Sequence, residues 1–107
     1  MLDETTNLNS LLSRPDLVCD AAYVAGEWKA SSTGKTFDVM NPARGDVIAS
    51  VPDLSRADVA EAISAAQVAQ RSWAAETART RATILRNWFN LMMANQKDLA
   101  IIMTAEQ

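Results

Sequence analysis

Cys19 is the only cysteine in this 107-residue sequence, and a cysteine thiolate is a strong nucleophile. A neighbouring positive charge or a helix N-terminus stabilises that reactive form. Cys19 instead stands between Val18 and Asp20, and the acidic neighbour disfavours the thiolate. We therefore predict a structural or incidental role for Cys19. A lone cysteine also permits no internal disulfide, which fits a reducing compartment.

Other common kinds of site are missing from the sequence as well. There is no histidine, which excludes histidine-based triads and removes the commonest metal ligand. Gly26, Gly34 and Gly45 are too scattered to form one phosphate-cradling loop. The sequence thus predicts no catalytic, cofactor-binding or metal-binding residue of its own.

Four arginines remain as a candidate anion-binding patch: Arg71, Arg79, Arg81 and Arg86. Acidic residues such as Glu76 lie close by, so we favour a solvated or interface face over a binding site. Arg79 and Arg81 also have the unfavourable sign for the start of a helix. We expect a penalty of roughly 0.3–1 kcal/mol each unless a carboxylate lies nearby.

The composition is that of one globular domain at most. Apolar residues make up 49% of the chain, and the net charge of −3 disfavours nucleic acid or an anionic membrane as a partner. The longest apolar run is far shorter than the roughly 18 residues that a bilayer span needs. Residues 1–10 contain no basic residue, unlike a secretory signal or a transit peptide. By default we expect a cytoplasmic location.

The first elements of the chain are short. Residues 1–20 form an N-terminal arm, with a helical turn that stops near Pro15. The predicted strands are Ala22–Trp28, broken by a turn at Gly26-Glu27, then Thr36–Met40 and Val47–Val51. Pro42 and Gly45 mark a strong turn between the last two, which therefore form a hairpin. The pattern predicts a short β-meander over about residues 22–51.

From Ser55 the apolar period becomes helical, and three helices are predicted. They cover about residues 55–73, 78–95 and 96–107. Ser55 with Asp58 resembles a capping box, and Thr77 is suited to cap the second helix. The third helix reaches the last residue with no glycine, asparagine, proline or basic residue to close it, so we expect a truncated chain.

The run Arg81–Met93 carries the broadest apolar face, with Trp88 and Phe89 on one side of the second helix. Two aromatics on one face need a large partner surface, since each buries roughly 150–250 Å². A core helix is the simplest interpretation. The alternative is a free-standing helical interaction module that binds another protein through the Trp88/Phe89 face. Such a module would fold cooperatively on its own, whereas a piece of a larger core would fold only marginally.

Residues 77–93, TARTRATILRNWFNLMM, resemble the corresponding helix of bacterial succinate-semialdehyde dehydrogenases, within the aldehyde dehydrogenase superfamily. Four shorter stretches follow the same order as in that family: YVAGEW from Tyr23, NPARGD from Asn41, SVP from Ser50 and MTAEQ from Met103. The resemblance implies an α/β fold of the aldehyde dehydrogenase type. Residues 21–107 would be the N-terminal part of its cofactor-binding domain.

The resemblance also implies a function. In the family, succinate semialdehyde is oxidised to succinate with NAD or NADP by a homo-oligomeric enzyme. Its nucleophilic cysteine, its glutamate base and its cofactor-binding elements all lie downstream of the matching segment. The segment here is therefore expected to be structural and inactive alone, with no cofactor of its own.

Two family features fall on residues of this chain. Some members bind a monovalent cation through backbone oxygens at the positions of Val39 or Met40 and a carboxylate at the position of Glu106. We favour an ordinary solvent-facing glutamate there. The family often has glutamate where this chain has Thr80, so the helix capped by Thr77 is expected to lack half of a capping box.

Overall fold

The computed structural model describes residues 7–107. The arm contains a short helix α1 (Leu8–Leu11) and a single 3-10 turn (Pro15–Leu17). The Asn7 side chain caps α1 by accepting a hydrogen bond from the Asn9 amide at 3.1 Å. The predicted helical turn before Pro15 is confirmed, while the part of the arm that falls on residues 1–6 lies outside the described residues.

Strands β1 (Ala22–Val24) and β2 (Glu27–Lys29) form a tight antiparallel hairpin. Ala25 and Gly26 make its turn, with φ angles of 52° and 81°. Tight two-residue turns require positive φ at both central positions. The turn predicted at Gly26-Glu27 is therefore wrong by one residue, because Glu27 is already a strand residue paired with Val24.

A second hairpin joins β3 (Thr36–Met40) to β4 (Val47–Pro52). The Asn41 side chain organises the connecting loop by accepting hydrogen bonds from the Ala43 and Arg44 amides at 2.9 and 3.3 Å. The predicted strands and their antiparallel pairing are confirmed. Pro52 extends β4 by one residue.

The short β-meander predicted over about residues 22–51 consists of two hairpins. Within residues 7–107 the strands form two separate two-stranded sheets, and β2 does not pair with β3. The connection between them turns towards the next helix, where the Ser32 amide donates to the Asp58 carboxylate at 3.2 Å. The Ser32 amide thus bonds to that carboxylate and does not extend a strand ladder.

Helices α2 (Arg56–Ala75), α3 (Ala78–Ala94) and α4 (Gln96–Glu106) follow, and all three predictions are confirmed to within two residues. Asn95 is the last cap of α3 and the first cap of α4. Its backbone amide donates to the Leu91 carbonyl of α3 at 3.2 Å. No helix in the described part of the chain is both long and apolar enough to cross a bilayer.

The helices start at the predicted caps. Ser55 and Asp58 form a complete capping box, with the two reciprocal hydrogen bonds at 3.1 and 3.0 Å. Thr77 accepts from the Thr80 amide at 3.1 Å, and the Thr80 side chain accepts from the Thr77 hydroxyl and not from the Thr77 amide. The α3 box is thus half complete, as its sequence predicts.

The chain is elongated, with extents of 54 × 35 × 19 Å and a radius of gyration of 17.2 Å. A compact domain of this length has a radius of about 13 Å. The accessible surface is 8428 Å². A compact protein of 11.6 kDa exposes about 5,800 Å². Among the described residues, the buried apolar side chains are Leu8 and Leu12 of the arm, so the helices have almost no core within this chain.

Candidate functional site

The reactive side chains of the sequence do not meet in one place. Cys19 is exposed in the loop before β1, and its thiol donates to the backbone carbonyl of Asp16 at 3.6 Å. Gly26, Gly34 and Gly45 all have positive φ, but each lies in a separate turn. The structural or incidental role assigned to Cys19 stays a prediction.

The four arginines are spread along α2 and α3. Arg71, Arg79 and Arg86 are exposed, and the guanidinium carbon of Arg86 lies 5.3 Å from the centre of the Phe89 ring. Within residues 7–107 none of the four forms a salt bridge. The half-buried Arg81 has an Nε atom without a hydrogen-bond partner among the described residues. Among the described residues, the first turn of α3 contains no acidic side chain to offset the unfavourable charges there.

Glu106 is the last residue of α4, and its side chain is exposed. Val39 and Met40 end β3 and pair with β4. In the described part of the chain, no three side chains of histidine, cysteine, aspartate or glutamate gather as a metal cluster. Whether Glu106 is an ordinary surface glutamate, as favoured above, stays a prediction.

Asp58 ties the connection between the two hairpins to the start of α2. Its carboxylate accepts hydrogen bonds from the Ser32 amide, the Ser31 hydroxyl at 3.4 Å and the Ser55 amide. The Ser32 side chain and then the Ser55 amide are the main causes that hold the pKa of Asp58 well below its ordinary value. Hydrogen bonds to the ionised form have this effect because they are lost on protonation.

The lowered pKa of Asp58 predicts a loss of stability in acid. The contribution is complete above the unfolded pKa, near 3.8, and declines as the pH falls further towards the folded pKa. We expect Asp58→Asn to be less stable than wild type at neutral pH and to lose less stability between neutral pH and pH about 2. Urea denaturation at a series of pH values measures the free energy of unfolding of the wild type and of the variant. Asp38→Asn is a suitable control, since Asp38 is exposed on β3; equal acid sensitivity of all three proteins would rule the assignment out.

Asp98 is the second carboxylate with a long-range role. It is 5% exposed, and it accepts from two consecutive backbone amides of the arm, Ser13 at 3.1 Å and Arg14 at 2.8 Å. The Arg14 guanidinium also reaches the Asn95 side chain at 3.5 Å. No sequence pattern indicated this contact, because an aspartate in the first turn of a helix is ordinary.

A mostly apolar groove of about 570 Å³ lies between the arm, the second hairpin and α4. Its apolar lining includes Leu8 and Leu11 of α1, Ile48 of β4, and Ala100 and Ile101 of α4. A second open groove of about 540 Å³ lies in the elbow between α2 and α3.

Helices α2 and α3 expose many large apolar side chains. Neither helix has a buried residue. The exposed apolar side chains of α3 are Ile84, Leu85, Trp88, Phe89, Leu91, Met92 and Met93. We call these residues, with Val59, Ile63 and Val68 of α2, the helical face. Seven large apolar side chains exposed on the single helix α3 indicate an interface.

Comparison with known proteins finds longer enzymes of which this chain matches one part. An NADP(+)-dependent succinate-semialdehyde dehydrogenase of Escherichia coli K12 is 49% identical over 96 residues, which are 90% of this chain and 20% of that enzyme. A glutarate-semialdehyde dehydrogenase of Pseudomonas putida is 49% identical over 80% of this chain and 18% of its own length. The chain spans about a fifth of the length of the curated relatives it matches.

The fold has solved counterparts too. The crystal structure of a succinate-semialdehyde dehydrogenase from Burkholderia pseudomallei superposes with a TM-score of 0.86 at 46% identity, over 90% of this chain and 20% of that one. The predicted α/β fold is confirmed by this match. The free-standing interaction module is not supported, because the helix with Trp88 and Phe89 falls within the matched segment. The model of the aldehyde dehydrogenase family matches residues 28–107, and the chain belongs to that family.

Proposed function

We propose that this chain is the N-terminal segment of an NADP-dependent dehydrogenase that oxidises succinate semialdehyde to succinate. Two of its relatives are named for succinate semialdehyde and glutarate semialdehyde, aldehydes that carry a carboxylate at the other end. The matched segment is the N-terminal fifth of those enzymes. A small aldehyde with a distal carboxylate is thus the substrate class that the similarity favours.

The role of the segment in that enzyme is to support the rest of the domain. The observation that carries this proposal is the helical face, which has no partner among residues 7–107. The chain exposes about 2,600 Å² more than a compact protein of its mass. Interfaces that hold obligate partners together bury roughly 2,000–5,000 Å² summed over both partners, or about 1,000–2,500 Å² on each side. The excess surface is therefore of the size that packing against the remaining part of one domain would cover.

The cofactor is not held by the residues described here. A dinucleotide needs a glycine-rich turn that opens a helix and lets the backbone approach the phosphates. The glycines of this chain lie in three separate turns, and neither α2 nor α3 begins with one. NADP, which accepts the hydride, is accordingly assigned to the part of the enzyme beyond this segment.

Location and assembly belong to the same proposal. We place the enzyme in the cytoplasm as a homo-oligomer. The support for both assignments is membership of the aldehyde dehydrogenase family.

Reconstitution tests the proposal directly. The chain is prepared alone and also joined to the remaining four-fifths of the E. coli relative, and NADPH formation from succinate semialdehyde is followed by absorbance. We expect no activity from the chain alone and clear activity from the joined protein. The E. coli four-fifths without this segment is the matched control and should be inactive. Activity of the chain alone, or a folded but inactive joined protein, would contradict the proposal.

A further inference from the structure

One buried carboxylate holds the N-terminal arm in place. The two oxygens of Asp98 are divided between two consecutive amides: Oδ1 accepts from Ser13, and Oδ2 accepts from Arg14. The acceptor is a carboxylate in both bonds, and the bond from Arg14, at 2.8 Å, is within the range of the stronger class of hydrogen bond. They join residues that are 85 and 84 positions apart in the sequence.

Asp98 does not cap its own helix, because its carboxylate bonds to the arm. It is the third residue of α4, the position from which a carboxylate can complete a capping box. Asn95, which begins α4, makes no side-chain capping hydrogen bond. The carboxylate points its oxygens at the arm, and its own helix is left without that cap.

The arm has little other means of staying ordered. Its helix α1 has four residues and its 3-10 turn has three, and isolated helices of that length are unstable in water. Leu8 and Leu12, 5% and 8% exposed, are the apolar side chains buried by docking. The order of the arm therefore depends on α4.

We propose that residues 7–17 can detach from α4 as a unit and that Asp98 is the residue that holds them there. We call residues 7–17 the strap, and the Asp98 carboxylate with its two hydrogen bonds the clasp. When the clasp is closed, Leu8 and Leu11 form one wall of the groove of about 570 Å³ beside α4. When it opens, the strap leaves, that wall is removed, and Ala100 and Ile101 of α4 become accessible from the arm side. Docking of the strap and formation of the groove are one event. This inference rests on contacts within the chain and not on dehydrogenase activity.

Amide hydrogen exchange on the joined protein tests the clasp. In wild type, the Ser13 and Arg14 amides should be protected, and they should lose protection at a lower denaturant concentration than the Leu99 amide of α4. That order is the mark of a local opening. Equal protection of arm and α4 at every denaturant concentration would show that the arm leaves only on global unfolding, and would overturn the proposal without any variant.

Variants of Asp98 provide a second test. In Asp98→Ala the Ser13 and Arg14 amides should exchange on the order of 10- to 100-fold faster, since both lose a charged acceptor, while amides of β3 and β4 should be unchanged. Asp98→Asn keeps the size of the side chain and one acceptor oxygen, so a smaller acceleration is expected. Asp20→Asn, on an exposed residue of the same region, is the control. Unchanged exchange at Ser13 and Arg14 in a folded Asp98→Asn or Asp98→Ala protein would overturn the clasp. If the joined protein shows the expected exchange at Ser13 and Arg14 but forms no NADPH, that result counts against the proposed function and not against the clasp.

Discussion

On heating, the isolated 107-residue chain is expected to lose its helical circular dichroism gradually, without a sharp midpoint. A cooperative domain of this length unfolds with an enthalpy of about 75 kcal/mol near 60 °C. That enthalpy comes from a packed interior, and here the buried apolar side chains of the described residues are Leu8 and Leu12. Helices α2 and α3 would melt largely as single helices, which unfold over a wide range of temperature.

Differential scanning calorimetry measures the expected result. The chain alone should give no resolved heat-capacity peak, and the joined protein should give a single large one. A sharp transition of the isolated chain with an enthalpy near the domain value would refute the supporting role of the segment. It would also indicate that the chain folds on its own and that the helical face has a different function.

The second large effect concerns Trp88, which is 62% exposed in this chain. If the helical face packs against the rest of the domain, Trp88→Asp loses the burial of a tryptophan, about 3–5 kcal/mol for truncation to alanine. It also places a charge where no partner is provided. We expect the joined protein with Trp88→Asp to be mostly insoluble or inactive. The isolated chain should keep the same helical content with or without the substitution.

Asn87→Asp is the matched control for Trp88→Asp. It adds the same charge to the adjacent position of α3, on an exposed side chain that lies towards the polar side. Soluble yield, urea midpoint and NADPH formation should all stay close to wild type in that variant. Equal stability of the two joined variants would show that Trp88 remains in solvent in the whole enzyme.

Local signals explain why the elements could be predicted. Ser55 and Thr77 begin α2 and α3 because their side chains satisfy amides three residues later, a rule that needs no knowledge of distant residues. The loop that begins at Asn41 is equally local. The helical pattern of Ile84 and Trp88 likewise identified an apolar face correctly.

Contacts between distant residues could not be predicted. The link from Asp98 to Ser13, and that from Asp58 to Ser32, join ordinary polar residues that no pattern distinguishes from solvated ones. For the same reason the two hairpins were predicted as one meander. Periodicity also shows which side of a helix is apolar without showing what covers it. Within residues 7–107, for example, no residue of α2 is buried.

The long sequence separation between the arm and Asp98 has a consequence for synthesis. A ribosome adds roughly 5–20 residues per second, so about 4–17 s pass between the appearance of Ser13 and that of the carboxylate that holds it. During that interval Leu8, Leu11 and Leu12 have no docking site, whereas each hairpin finds its partner strand within a few residues. The first helix to be made is thus among the last parts of the segment to be placed.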